Sequence, residues 1–344
     1  MLLRTLDYEE QFHCLAGRCP HSCCVGWEVV LDDPHAQRYL AGDDPLSRRA
    51  AEVMVYDEAE DAFSFPLSGG RCPFLDRENL CELHRAWGAE ATPLTCQTHP
   101  RFTEDYGPFA ERSLSAACPA ANALLLGSRE PLGFRETETG EPGEDGDVWL
   151  PCLLPFRRRL FAVLRDRSRP LRARLGEFLT LCLLADAILA EAELEGAAPE
   201  GLLTLEGGTL EGILPEDGIF PAALRLLASL EVLEPDWRDM LARAETAVPV
   251  PQDEALLERI AVYFAYRSIL KCVNDGDLLG RGLYTVFLTL AAERIAAVCG
   301  LPEALRRLSR EVEHDADNVE ALLTAFRDDA AFDVGCFLRE LRDP

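Results

Sequence analysis

The chain lacks any uninterrupted run of 18 apolar residues, so no membrane-spanning helix is expected. No secretion signal is expected either, because the opening segment turns acidic at Asp7, Glu9 and Glu10 before an apolar stretch can form. These two absences point to a reducing cytoplasm, where thiols bind metal or do chemistry instead of forming structural disulfides. No G-x-G-x-x-G turn follows a strand, which excludes the usual dinucleotide-binding fingerprint. The duplicated C-x2-C knuckle of structural zinc sites is missing too. Positive charge is scarce: Lys271 is the single lysine, and 34 basic residues face 60 acidic ones, for a net charge of −26. That balance opposes nucleic-acid phosphate and anionic membrane surfaces, so neither is an expected partner. It suits a partner that exposes lysine or arginine, and it also serves solubility.

Cysteine, in contrast, is abundant and crowded. Eight of the 13 cysteines lie in the first 118 residues: Cys14, Cys19, Cys23, Cys24, Cys72, Cys81, Cys96 and Cys118. Core thiols scattered through a fold would not crowd in this way, so these eight are the candidate metal ligands. Cys152, Cys182, Cys272, Cys299 and Cys336 stand in apolar helical contexts and read as small core hydrophobes. The odd total argues against a fully paired disulfide framework.

A chain of 344 residues can bury a sizeable core, and its pattern changes character midway. The expected fold is mainly α, with a small cysteine-rich α+β metal-binding domain over 1–127 followed by an α-helical bundle over 150–344. The Gly-, Glu- and Thr-rich stretch 128–149 reads as a linker or exposed loop. In the first part, Ser22 or His21 would cap a turn carrying Cys23 and Cys24, and 27–32 alternates as a strand. Residues 34–53 read as a surface helix interrupted near Gly42 and Pro45. Two apolar runs around Asp76–Asn79 suggest a hairpin that brings Cys72 and Cys81 together. Adjacent residues of a regular element point to different sides, so the Cys23 and Cys24 thiols are expected to diverge. In the second part, helical periodicity predicts helices over 157–167, 171–194, 221–230, 237–244, 253–272, 278–299 and 302–341, the last broken around 315–318.

Thiolates are soft ligands suited to zinc or to an iron–sulfur cluster. The spacing Cys-x4-Cys-x3-Cys-Cys, then Cys-x8-Cys and two single cysteines, is irregular and spread over a hundred residues. It suits a cluster better than a zinc knuckle, with zinc the alternative. Eight thiols would serve two centres, or one centre plus core thiols.

The motifs follow a characteristic order. Phe12 precedes Cys14 by two, Cys19-x3-Cys23-Cys24-x-Gly26-Trp27 follows, and then come Cys72-Pro73-Phe74-Leu75 and Leu80-Cys81-x-Leu83-His84. Thr95-Cys96-x3-Pro100-Arg101 and Ser113-Leu114-Ser115-x2-Cys118-Pro119 complete the set. Over residues 8–126 this order resembles the flagellin lysine N-methylase family, part of a wider cysteine-cluster group described as zinc- or iron-chelating. The family usually has an aromatic where His99 stands, and the helical half carries no motif matched residue by residue. The resemblance implies methyl transfer from S-adenosylmethionine to a lysine side-chain nitrogen of flagellin or another surface protein. It also implies a cysteine-ligated centre of the [4Fe-4S] type, or zinc. The radical S-adenosylmethionine signature Cys-x3-Cys-x2-Cys is absent, since Cys24 follows Cys23 directly. Any cofactor site is therefore unconventional.

A lysine amine must lose its proton before it attacks a methyl group, and His84, His99, Tyr8 and Tyr106 stand near the cysteine motifs. For each, the plainer role is that of a hydrogen-bonded structural residue. Arg101 could fork onto a carboxylate or form a structural ion pair. Arg267, Lys271, Glu293 and Arg294 stand among apolar residues, where they would line a pocket or form the ion pairs of the bundle. Two other readings compete with an enzyme. One is a non-catalytic iron- or zinc-chelating protein; the other is an adaptor whose metal site only holds the fold while its acidic half binds a basic partner.

Overall fold

A computed structural model describes all residues except 27, 59, 60, 141, 208–214, 343 and 344. The chain begins with β1 (Leu2–Leu6). β2 (Val29–Leu31) leads into α1 (Asp33–Ala41), α2 (Pro45–Val53), β3 (Val55–Asp57) and β4 (Ala62–Phe65). The short helices α3 (Glu82–Trp87) and α4 (Leu94–Thr98) precede β5 (Arg101–Asp105), β6 (Phe109–Leu114), α5 (Pro119–Leu126) and β7 (Phe134–Glu138). The elements beyond are helices: α6 (Leu150–Leu164), α7 (Leu171–Glu195), α8 (Gly201–Thr204), α9 (Ala222–Ser229), α10 (Trp237–Thr246) and α11 (Glu254–Ser268). They continue with α12 (Cys272–Asp275), α13 (Leu278–Cys299), α14 (Leu301–Leu308), α15 (Ala316–Asp328) and α16 (Val334–Arg342). The protein is thus mainly α with small sheets.

These elements form two compact units that interleave along the chain. The first comprises Glu10–Phe102 and Leu114–Ala121; the second comprises Met1–Glu9, Thr103–Ser113 and the chain from Asn122 onward. The sequence suggested a division at 127 with a linker over 128–149. Instead, β1 and most of β5 and β6 go with the helices, and the expected linker contains β7. β1 pairs in parallel with β6 (Leu2 opposite Phe109) and antiparallel with β7 (Leu2 opposite Glu138). The sheet order is β5-β6-β1-β7. Every residue of β7 is exposed, so this edge strand is held by backbone pairing and has no burial alternation to read. Arg4 Nε donates to Glu136 Oε1 across the pair at 2.7 Å.

In the cysteine-bearing unit, β2, β4 and β3 form an antiparallel sheet, with Val29 opposite Phe65. α1 and α2 are the expected interrupted helix. Asp44 caps α2 by accepting from Leu46 N at 2.9 Å and Ser47 N at 3.2 Å, and Pro45 fits the first helical position. The core packs Val29, Leu31, Tyr39, Phe65, Phe74 and Leu83 together with Cys72, and Cys24 and Cys81 lie against it.

In the second unit α13 packs against α7, α11 and α14. α13 is apolar nearly all round because it is the central helix. By length and composition it would cross a membrane, although the sequence suggested no such span; 72% of its most apolar stretch is buried inside the protein. Charges enter this interior in pairs. Fully buried Glu258 accepts from Arg174 Nη1 at 2.7 Å and from Arg167 Nε at 2.9 Å. Arg157 forks onto Glu111, and Arg267 Nε meets Glu313 Oε1 at 2.6 Å.

Candidate metal centre

All eight N-terminal cysteines lie in the unit formed by Glu10–Phe102 and Leu114–Ala121, and all are free thiols. Short turns place them. Ser22 caps the turn at Cys23 and Cys24, its Oγ accepting from Cys24 N at 3.2 Å. Gly26 then takes a φ of 93° and donates its N–H to Gly70 O at 3.0 Å, a close approach of two backbones that favours glycine. Next to that contact, Cys72 N donates to Cys24 O at 2.8 Å, so two cysteines distant in sequence are joined through the main chain.

The expected hairpin between Cys72 and Cys81 is a tight turn with a single bridge, Leu75 to Cys81, and not two strands. Asp76 Oδ1 organises it by accepting from Glu78 N at 2.8 Å and Leu80 N at 2.9 Å. Cys81 stands at the N-cap position of α3, which stops the second strand before it forms. Cys96 lies within α4. Cys14 Sγ accepts from Ala16 N at 3.3 Å, and Cys19 Sγ donates to His21 O at 3.2 Å.

The thiols influence one another in two groups. Cys72, Cys81 and Cys96 are each pushed above the ordinary thiol value, first by burial and then by Cys24; Cys72 reaches about 11. Cys118 is raised by burial and then by Cys19 and Cys14. Cys23 and Cys24 link the groups. Both residues sit in a turn, so their thiols hydrogen-bond to each other where regular structure would have separated them. That hydrogen bond lowers Cys24 to about 7, helped by Ser22 and Arg71 against the opposing burial, and raises Cys23 far up. The pair loses its first proton near neutrality and keeps the second. Among the described residues, no three Cys, His, Asp or Glu side chains converge as metal ligands. The donor chemistry nevertheless fits a soft metal: free, mutually sensing thiols in one unit, with Cys24, Cys72 and Cys81 sharing one core.

The other sequence candidates scatter. His84 is exposed and His99 half-buried. The Arg101 guanidinium lies 5.1 Å from the Phe12 ring centroid, so two motif residues stack on each other. Tyr8 and Tyr106 belong to the helical unit, where burial holds both phenols well above their usual range. At neutral pH both stay protonated and do not serve as bases. Lys271 pairs with Glu104 at 2.5 Å, and Arg172 with Glu293 at 3.0 Å.

Sequence reading missed Asp32 and His35. His35 Nδ1 is 2.6 Å from Asp32 Oδ2, and its Nε2 is 3.1 Å from Glu90 O. Asp32 Oδ1 also accepts from Leu94 N at 2.7 Å, and the Tyr39 hydroxyl donates to Ala91 O at 2.7 Å. The segment 90–94, which leads into α4 and Cys96, is thus fastened to α1. Burial opposes charge on both partners of the dyad, yet their hydrogen bond outweighs it, lowering Asp32 and raising His35. An Asp at N-cap with His three residues on, at the first turn of a helix, was the available signal.

The chain is 29% identical over 133 residues to the flagellar biosynthetic protein FliU of Salmonella muenchen, which covers 37% of this chain and 79% of that protein. It is 30% identical over 131 residues to a lysine-N-methylase of Salmonella typhimurium, covering 37% of this chain and 33% of that one. A lysine-N-methylase of Salmonella choleraesuis is 30% identical over 130 residues, 32% of its length. The match thus spans about a third of the length of these lysine methylases. No family model and no solved structure matches the chain.

Proposed function

On the premise that this chain is a relative of the flagellin lysine methylases, we propose that it transfers a methyl group from S-adenosylmethionine to a lysine side-chain nitrogen of a protein, with flagellin the leading acceptor. The observation that carries this reading is the 30% identity to two lysine-N-methylases, together with the order of cysteine motifs. The chain's net charge of −26 favours an acceptor surface that exposes lysine.

The cysteine-bearing unit would hold a metal centre, an iron–sulfur cluster or zinc, through Cys24, Cys72 and Cys81, which share its core, and Cys96 on α4. Held by four thiolates, an iron–sulfur cluster would supply one-electron redox chemistry, whereas zinc would form a closed structural site. The chain's own part is to keep these thiols in a tight turn, at a helix cap and in α4. Incubation with S-adenosylmethionine and a lysine-rich flagellin, read by peptide mass spectrometry, should show methyl mass on lysine. No gain on any lysine would leave the second reading, a cysteine-cluster protein that only chelates iron or zinc, for which the eight free thiols are the support.

A further inference from the structure

The helical unit contains a cleft of about 620 Å³ that the cysteine motifs do not account for. Its walls come from the ends of several helices. Arg172 is on α7, Glu293 and Arg294 on α13, Glu340 on α16, and Glu245 near the end of α10. The lining also includes the apolar residues Phe220, Leu224 and Leu290 together with the proline-rich segment 249–251. This size is typical of a small-molecule site.

The charges are not all spent on each other. Arg172 holds Glu293 and also donates to Glu340 O at 3.2 Å. Arg294 Nη2 donates to Glu245 O at 2.8 Å, but its Nε is buried without a hydrogen-bond partner. A buried guanidinium nitrogen left in this state is stabilised by an incoming acceptor. Burial raises the Glu293 carboxyl; Arg172 draws it down, and the Glu254 and Glu340 carboxylates push it back up, leaving it above its ordinary value. The cleft therefore favours added positive charge near Glu293 and an anionic acceptor near Arg294.

We propose that this cleft is the S-adenosylmethionine site, with Glu245, Glu293 and Glu340 toward the cationic and hydroxyl groups, Arg294 toward the carboxylate, and Phe220 and Leu224 toward the adenine. The cleft's three carboxylates and two guanidiniums leave one net negative charge, which complements a ligand carrying a sulfonium and an ammonium against a single carboxylate. A lysine side chain alone would leave Arg294 without an anion and the apolar residues of the cleft uncovered. The site also accounts for the missing G-x-G-x-x-G turn, since side chains from helices do what a glycine-rich loop does elsewhere.

This inference rests on the methyltransferase reading, and its test separates the two. Isothermal titration calorimetry of the full chain with S-adenosylmethionine should show binding, and S-adenosylhomocysteine, which lacks the sulfonium charge, should bind more weakly. Arg294→Gln and Glu245→Gln should each weaken binding roughly tenfold to a hundredfold, the loss expected for one charge-assisted contact. Hydrogen exchange on the wild-type chain guards against a variant that misfolds: S-adenosylmethionine should slow exchange at 220–224, 245–251 and 290–294. Binding that protects other segments, with both variants unchanged, would overturn the site while leaving methyl transfer standing. Protection of the same segments by a lysine peptide alone would assign the cleft to the acceptor and overturn the proposal as well. Absence of any binding would overturn it together with the methyltransferase reading.

Discussion

At the scale of single residues, the adjacent pair Cys23 and Cys24 is the sharpest feature of the chain. Their shared hydrogen bond lowers Cys24 to about 7 and raises Cys23. In metal-free protein, iodoacetamide should label Cys24 first, at a rate that climbs through about pH 7, while Cys23 lags. In Cys23→Ala that climb should move to higher pH, because the donor that stabilises the Cys24 thiolate is gone. Equal labelling of the two thiols at all pH values would show that they are not coupled. A second residue-scale effect lies in the helical unit. Burial raises the Glu303 carboxyl, but hydrogen bonds from Arg306 and Arg307 outweigh it and bring it to about 2. A depressed carboxyl stabilises the fold above its unfolded value of about 4.5, and this contribution is lost as the pH falls toward 2. Glu303→Gln should cost roughly 2 kcal/mol at neutral pH and lose correspondingly less between pH 4.5 and 2, read by urea unfolding at each pH.

At the scale of elements, the Asp32–His35 dyad ties α1 to the segment that carries Cys96. Its side chains are 24% and 15% exposed, so the hydrogen bond is worth about 1 kcal/mol, enough to hold a short segment but not a domain. His35→Ala should speed hydrogen exchange over 90–98 several-fold and leave β2 and β4 unchanged. Uniform acceleration across the unit would mean that the dyad supports the whole core. Helices were the most legible elements. The interruption between α1 and α2 could be read because Asp44 and Pro45 form a cap, and α13 because Asp277 and Gly300 bracket an apolar run. The pairings of the second unit's strands were not legible. β1 pairs in parallel with β6, whose register depends on a remote segment, and β7 shows no alternation because all its side chains are exposed. The turn at Asp76 was legible from its polar run, whereas its flanks were not, since a helix cap at Cys81 competes with the strand.

At the scale of the whole molecule, the sequence located the cysteines but not their grouping. Burial and main-chain contacts such as Cys72 N to Cys24 O set that grouping, and spacing alone cannot show it. The same holds for the cleft. Glu293 and Arg294 stood out among apolar neighbours, but Arg172, Glu245 and Glu340 come from separate helices and meet only on folding. Composition changes near residue 127, whereas contacts recruit residues 1–9 and 103–113 to the helical unit.

The proposal at the centre of this account is that the chain methylates lysine through a centre held by its cysteine-bearing unit. The most direct measurement compares wild-type protein with Cys72→Ser, purified anaerobically and matched for folded content by circular dichroism. Each is incubated with S-adenosylmethionine and flagellin and read by site-resolved mass spectrometry. The account predicts methyl mass on flagellin lysines with the wild type and near-complete loss with the variant, whose bound iron or zinc should fall in parallel. Methylation by Cys72→Ser equal to that of the wild type, or none by either protein, would contradict it.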